Sequence, residues 1–230
     1  MTSVRKNMAG LSQRYRIEKY EVGVKNYHYW APSNLEDLLN ELSENDFQKD
    51  ERLPYWCHLW PSARVLIEYF SANPELYENR QVLELGCGLG IVSIFLAGHC
   101  RNLLAVDYEP DALQFARCNF LENLKGFPER TMLTAMDWRE MATRSSFDLI
   151  FGADILYENR FFEPLERLIH NHSHSRTQLI FTEPGRKISL PFFERLSQIG
   201  YRHQTHIYPF KTSDGIDQKV YTHVFSLTNN

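Results

Sequence analysis

From residue 81 onward the chain alternates short apolar runs with amphipathic stretches, and that alternation carries the fold prediction. Gln81–Leu85 (QVLEL) is an apolar run of strand length, closed by Gly86-Cys87-Gly88-Leu89-Gly90, and IVSIFLAGH continues as a helix. Leu103–Val106 (LLAV) repeats the strand pattern and stops at Asp107. Pro110-Asp111 then opens a helix carrying Leu113, Ala116, Phe120 and Leu124. Thr131–Met136 is a short third strand ending at Asp137-Trp138. Phe147–Ala153 (FDLIFGA) is a fourth, followed by Asp154 and a helix from about Phe161. Gln178–Thr182 is a fifth, with Glu183-Pro184-Gly185-Arg186 at its end and a helix over Ser189–Ile199. Two extended segments, about Tyr201–Pro209 and Lys219–Leu227, follow with KTSDGIDQ turning between them. Strands alternating with helices, then a hairpin, predict an α/β open sheet that is parallel except at one edge.

Ahead of this unit the pattern weakens. Residues 1–34 are polar and aromatic by turns with no sustained period, and Tyr15, Tyr20, Tyr27, Tyr29 and Trp30 suggest a clasp on the main domain. Leu35, Leu38, Leu39 and Leu42 recur at helical spacing behind Pro32-Ser33-Asn34. In PYWCHLWPSARVLIEYF, Pro61 can occupy the first turn of a helix running to about Ala72. The expected organisation is an N-terminal extension over 1–50 and one domain over 51–230, with no internal repeat.

Composition narrows the function without choosing it. With 230 residues, 43% hydrophobic and 23% charged, the chain is neither a disordered tail nor a coiled coil. A net charge of −4 argues against a duplex-nucleic-acid binder, which would normally carry a basic excess. Cys57, Cys87, Cys100 and Cys118 form no C-x-x-C pair, so they read as free thiols and no metal site is expected. No stretch approaches the roughly 18 apolar residues of a membrane span, and the N-terminus lacks the apolar region of a secretory signal. The expected location is cytoplasmic. The four basic residues before Glu18 leave an organellar address open in a eukaryote. The run His170-Asn171-His172-Ser173-His174 invites a metal reading, but with no carboxylate or cysteine nearby in sequence a solvated loop answers it better.

Open α/β sheets bind ligands at the carboxyl ends of their strands, beside the first strand. There the chain reads E-L-G-C-G-L-G from Glu84 to Gly90; a dinucleotide fingerprint needs G-x-G-x-x-G, and here the third glycine comes one residue early. Asp107 ends the second strand, where a carboxylate can accept both hydroxyls of a ribose. The glycine spacing, Glu84 and the terminal hairpin favour S-adenosylmethionine over a nicotinamide cofactor.

VLELGCGLG and VDYEPDAL resemble the first and second motifs of the class I, seven-strand S-adenosylmethionine-dependent methyltransferases. The resemblance implies a Rossmann-like seven-stranded sheet with an antiparallel C-terminal hairpin and an N-terminal extension. It implies cofactor contacts from Trp60, Glu84, Gly86, Cys87, Gly88, Gly90, Asp107, Tyr108, Asp137, Trp138 and Ala153, with S-adenosyl-L-methionine as the cofactor. Asp137 matches the adenine position, whereas Trp138 answers equally to core packing. Asp154-Ile155-Leu156-Tyr157 is similar to the D-x-x-Y of the protein-lysine methyltransferase branch, and PYWCHLWPSA resembles that branch's aromatic segment. EPGR at Glu183–Arg186 resembles the D-P-G-R of electron-transfer-flavoprotein β-subunit lysine methyltransferases and their bacterial relatives, with Glu183 in place of the Asp. Asp154 and Tyr157 are then the catalytic pair: Asp154 directs the amine and Tyr157 walls its channel. A helix cap remains the bland reading of Asp154, and core packing that of Tyr157. Glu183 and Arg186 are expected at the mouth, and His58 answers either to a contact with the acceptor or, better, to an ordinary surface or core histidine. No N-P-P-Y tetrad follows strand four, which argues against nucleobase and glutamine acceptors. The expected partner is a protein lysine, with a small-molecule acceptor, or a non-catalytic S-adenosylmethionine-binding module, as the alternatives.

Overall fold

The structure, a computed structural model, describes residues 15–33, 38, 53–140, 145–212 and 215–227. Its centre is a seven-stranded sheet of β3 (Gln81–Leu85), β4 (Asn102–Asp107), β5 (Thr131–Ala135), β6 (Leu149–Ala153), β7 (Gln178–Glu183), β8 (Tyr201–Lys211) and β9 (Asp217–Leu227). The spatial order is β5-β4-β3-β6-β7-β9-β8. The first five are parallel, and β9 runs antiparallel between β7 and β8. The hairpin therefore places its antiparallel strand one position in from the edge. This is the Rossmann-like methyltransferase sheet that the sequence motifs imply.

Alternate side chains of the central strands feed two cores. Val82, Leu149, Phe151 and Ile180 pack under α1 (Pro61–Ala72), α2 (Ile91–Leu96) and α3 (Pro110–Asn123). Leu83, Leu85, Ile150, Leu179 and Phe181 pack under α4 (Phe162–His172) and α5 (Leu190–Gln198). Strands covered on both faces lose the polar half of the strand pattern, which is why QVLEL and LIFGA read as apolar runs.

The first thirty-odd residues depart from the sequence reading. They contain an antiparallel pair, β1 (Tyr15–Val22) and β2 (Lys25–Pro32), which forms its own sheet. A two-residue loop, Gly23-Val24, with positive φ only at Gly23, turns the chain, as a primed hairpin turn allows. Tyr27, Tyr29 and Ala31 are buried while the residues between them are more exposed. The pair does clasp the domain. Asn119 on α3 accepts the N–H of Trp30 (2.6 Å) and donates to its carbonyl (3.2 Å), and Asn123 does the same for His28 at 2.9 and 2.6 Å. Two side-chain amides one helical turn apart thus pair with β2 as a neighbouring strand would. The predicted helix around Leu35–Leu42 and the boundary at residue 50 lie outside the described residues, Leu38 excepted. No helix among the described residues is long and apolar enough to cross a membrane.

Candidate active site

The strand order reverses at β3, whose neighbours β4 and β6 carry the chain away in opposite directions. A cavity of about 510 Å³ opens at the carboxyl ends of these strands. Its floor is Glu84 with Gly86, Cys87, Gly88 and Leu89; one wall is Asp107, Tyr108, Glu109 and Trp138, and another is Ala153, Asp154, Ile155, Tyr157 and Glu158. The segment from Leu53 to Ala63 closes it from the front with Tyr55, Trp56, His58 and Trp60.

The glycine loop is held by its neighbours. Cys87 N–H donates to Val106 carbonyl at 3.0 Å, and Gly88 N–H donates to Asp107 Oδ2 at 2.8 Å. Asp107 Oδ1 accepts Glu109 N–H at 3.0 Å, so this buried carboxylate knits the loop after β3 to the loop after β4. Burial raises the Asp107 carboxyl above its ordinary value, against these amides, which favour the charged form. Gly88 has a φ of 49°, and a Cβ there would sit 3.3 Å from the carbonyl oxygen of Trp56.

Two residues expected at the cofactor do not line the cavity. Gly90 caps α2 at a φ of 76°, and a Cβ there would meet Ala116 Cβ at 2.9 Å; its small size serves helix packing. Asp137 turns away to accept the backbone N–H (2.8 Å) and Nε (2.7 Å) of Arg139, and Trp138 takes the wall instead. Glu183 is a third correction. It is buried against His223 at 3.1 Å rather than placed at the mouth; of the EPGR residues, Arg186 lines the cavity. Trp60, Glu84, Gly86, Cys87, Gly88, Asp107, Tyr108, Trp138, Ala153, Asp154 and Tyr157 all lie on the wall.

Asp154 has a φ of 59°, rare outside glycine, asparagine and aspartate. Its N–H donates to Thr182 carbonyl at 2.8 Å, its Oδ2 accepts Ser62 Oγ at 3.3 Å, and its Oδ1 accepts Arg186 Nε at 3.1 Å and a terminal guanidinium nitrogen. The next helical turn, Asn159–Phe161, is preceded by Glu158, so Asp154 is no helix cap. Burial raises its carboxyl, with Arg186 and Ser62 opposing. Tyr157 meets Tyr55 and Phe161 edge-on at ring distances of 5.4 and 5.6 Å. Burial, with Tyr108, Glu158 and Asp107 adding, pushes its phenol far above the ordinary value.

Sequence reasoning took Tyr55 and Trp56 only as part of the aromatic segment and singled out neither Glu109 nor Glu158, all on the cavity wall, and it preferred an ordinary role for His58, which lines the site. Burial and the nearby Arg16 push the His58 imidazole down. The aromatic density of PYWCHLW was the available signal. The cavity carries five carboxylates, Glu84, Asp107, Glu109, Asp154 and Glu158, against one guanidinium, Arg186. Burial pushes Cys87 well above the ordinary thiol value, which rules out an activated thiolate there.

Glu84 is buried, accepts the Ser93 hydroxyl, and is pushed up to about 8, chiefly by burial. A carboxyl raised in the folded state contributes stability that is full below its unfolded value and lost as pH rises through the folded value. Thermal stability of the ligand-free protein should therefore decline from about pH 5 to about pH 8, and Glu84→Gln should flatten that decline. Calorimetric melting against pH checks this; parallel curves for the two proteins would refute it.

The family described as lysine methyltransferase matches residues 39–199. The electron transfer flavoprotein beta subunit lysine methyltransferase of Danio rerio is 31% identical over 137 residues, covering 58% of this chain and 51% of that protein. Protein N-lysine methyltransferase METTL21A of Danio rerio is 29% identical over 136 residues, covering 57% of this chain and 62% of that protein. The chain thus spans between half and two thirds of these relatives' length. Among solved structures, the N-methyltransferase NodS of Bradyrhizobium japonicum in complex with S-adenosyl-l-homocysteine superposes with a TM-score of 0.56 at 18% identity, covering 85% of this chain and 98% of that one. That likeness concerns the fold.

Proposed function

The chain belongs to the lysine methyltransferase family, and from that premise we propose that it transfers a methyl group from S-adenosylmethionine to a lysine side chain of a protein. The observation that carries the reading is the acidic, aromatic-walled cavity at the reversal of strand order, with Asp107 at the end of one neighbour of β3 and Asp154 just after the other; we assign Asp107 to the cofactor and Asp154 to the acceptor. The donor set fits the cofactor. Carboxylates at Asp107 and Glu109 suit ribose hydroxyls, the Trp138 ring suits a base, and a surplus of negative charge suits a sulfonium. When bound, S-adenosylmethionine supplies a methyl group on that sulfonium.

This chain's own residues then have a positioning task. Methyl transfer needs the acceptor lone pair in line with the departing carbon, so alignment supplies most of the rate. Asp154, locked by Ser62 and Arg186, presents a fixed carboxylate to the amine. Tyr55, Trp60 and Tyr157 wall its approach and exclude water. Because Arg186 balances the charge of Asp154, that carboxylate raises the amine pKa less than a lone one would.

Titration calorimetry tests the cofactor half of the reading. S-adenosylmethionine should bind and NAD should not. Asp107→Ala should weaken binding by about 1.5–3 kcal/mol through the lost charged acceptor. Unchanged affinity in a folded Asp107→Ala protein would remove that assignment, and preference for NAD would remove the whole reading.

A further inference from the structure

The family match ends at residue 199, yet the hairpin beyond it reaches toward Arg186 and Asp154 along a polar path whose inner groups are buried. Glu183, at the end of β7, is 3% exposed, and His223 on β9 is 5% exposed. His223 Nε2 lies 3.1 Å from Glu183 Oε1, and its Nδ1 lies 2.9 Å from Nε2 of His203 on β8. Thr205 Oγ1 closes the outer end, 3.2 Å from the same His203 nitrogen. At the inner end Glu183 Oε2 accepts the backbone N–H of Arg186, whose guanidinium holds Asp154. Hydrogen bonds therefore run from the edge strand of the sheet to the Arg186 backbone, and the Arg186 side chain carries the connection on to the carboxylate in the cavity.

The chemistry of the groups fixes the direction of these bonds. Where Glu183 is ionised its carboxylate can only accept, and His223 then donates to it from Nε2. When His223 is neutral, its bare Nδ1 accepts Nε2–H of His203. When His223 is a cation, that outer bond reverses and His203 Nε2 becomes the acceptor. In both states Glu183 keeps its donor and the Arg186 amide keeps its acceptor. Burial and the neighbouring His223 push the His203 imidazole down.

Packing holds the path in register. The ring of Phe193 lies 4.0 Å from that of His223, and Phe225 stacks on His203 at 4.2 Å and 10°. A Cβ at Gly185 would meet Tyr221 of β9 at 2.9 Å, so the hairpin grips the 183–186 loop at a second point. Apolar side chains alone would cover β7. Two histidines aligned on a buried carboxylate add nothing to that cover, because a buried ionic pair seldom outperforms apolar packing in stability.

We propose that His223 and His203 are positioning residues for methyl transfer, holding Arg186 through Glu183 so that Asp154 stays aimed at the acceptor amine. The inference rests on reading Asp154 as the residue that faces the acceptor.

The test pairs His223→Phe with His223→Gln in the full chain. Phenylalanine keeps the ring stack on Phe193 and deletes both nitrogens; glutamine returns an N–H donor toward Glu183. One readout is methyl incorporation from labelled S-adenosylmethionine into the proteins of a cell lysate at saturating cofactor. The other is the Arg186 Nε–H resonance in arginine-labelled protein, assigned with Arg186→Lys. His223→Phe should lower incorporation about fivefold or more and move the resonance, with cofactor affinity held within about twofold; His223→Gln should recover most of the loss. The proposal is overturned by an unchanged rate, an unchanged resonance, a glutamine variant as impaired as the phenylalanine one, or a parallel fall in cofactor affinity. If His223→Phe does not fold, His203→Phe, one bond further out, should lower the rate about twofold or more, and no change there overturns the proposal equally. A wild-type protein that labels no lysate protein contradicts the lysine reading alone, and the Arg186 resonance then decides the positioning claim.

Discussion

Asp154→Asn should lower methyl transfer about ten- to a hundredfold, the scale of one oriented charged hydrogen bond of about 1.5–3 kcal/mol. The substitution isolates charge. Asparagine tolerates the φ of 59° as well as aspartate does. Its carbonyl oxygen can still accept from Arg186, and Arg186 is 36% exposed at its side chain, so water can cover what the lost charge leaves open. Melting temperature and affinity for S-adenosylmethionine should hardly move, because Asp107 ends, and Asp154 follows, strands on opposite sides of β3. Turnover and calorimetry on the same preparation check both halves. Full turnover would mean that the charge is not used. Lost cofactor affinity would mean that the acceptor pocket lies on the other side of the site.

The second large effect is with pH. An unperturbed lysine has a pKa near 10.4, so about one in two thousand is neutral at pH 7. At saturating cofactor the initial rate should climb about tenfold per unit between about pH 7 and 9, approaching a hundredfold in all. Two titratable groups on the cavity wall do not imitate that slope. Tyr157 titrates far above the window, and His58 is pushed below its ordinary value. Glu84, at about 8, does titrate inside it, so the profile of Glu84→Gln should keep the rise while losing any inflection near that pH. A rate that plateaus above pH 7 in both proteins would point to an acceptor other than an amine.

The central sheet and the cofactor loop are legible in the sequence for one physical reason. Buried parallel strands cannot carry polar alternation, so QVLEL, LLAV and FDLIFGA stand out, and each is followed at once by a residue that lines the cavity, Gly86, Asp107 and Asp154. The N-terminal hairpin is not legible, because its outer edge is completed by Asn119 and Asn123, some ninety residues away on a helix. Gly90 and Asp137 sit in the expected motifs, yet the space around Gly90 belongs to Ala116 and the charge of Asp137 to Arg139. A motif position alone cannot separate contact with a ligand from contact with the next helix or the next arginine. Glu183 shows the same limit. Its partner His223 lies forty residues on, in a strand whose insertion between β7 and β8 follows from tertiary pairing and not from local pattern.

The most direct measurement is the mass and position of the transferred group. The protein is incubated with labelled S-adenosylmethionine and a cell lysate, and the labelled protein is digested and mapped by mass spectrometry. An added mass of about 14 Da on a lysine, formed about ten- to a hundredfold more slowly with Asp154→Asn and growing with pH, is the predicted result. Label confined to small molecules, or mapped to any residue other than lysine, would contradict the account.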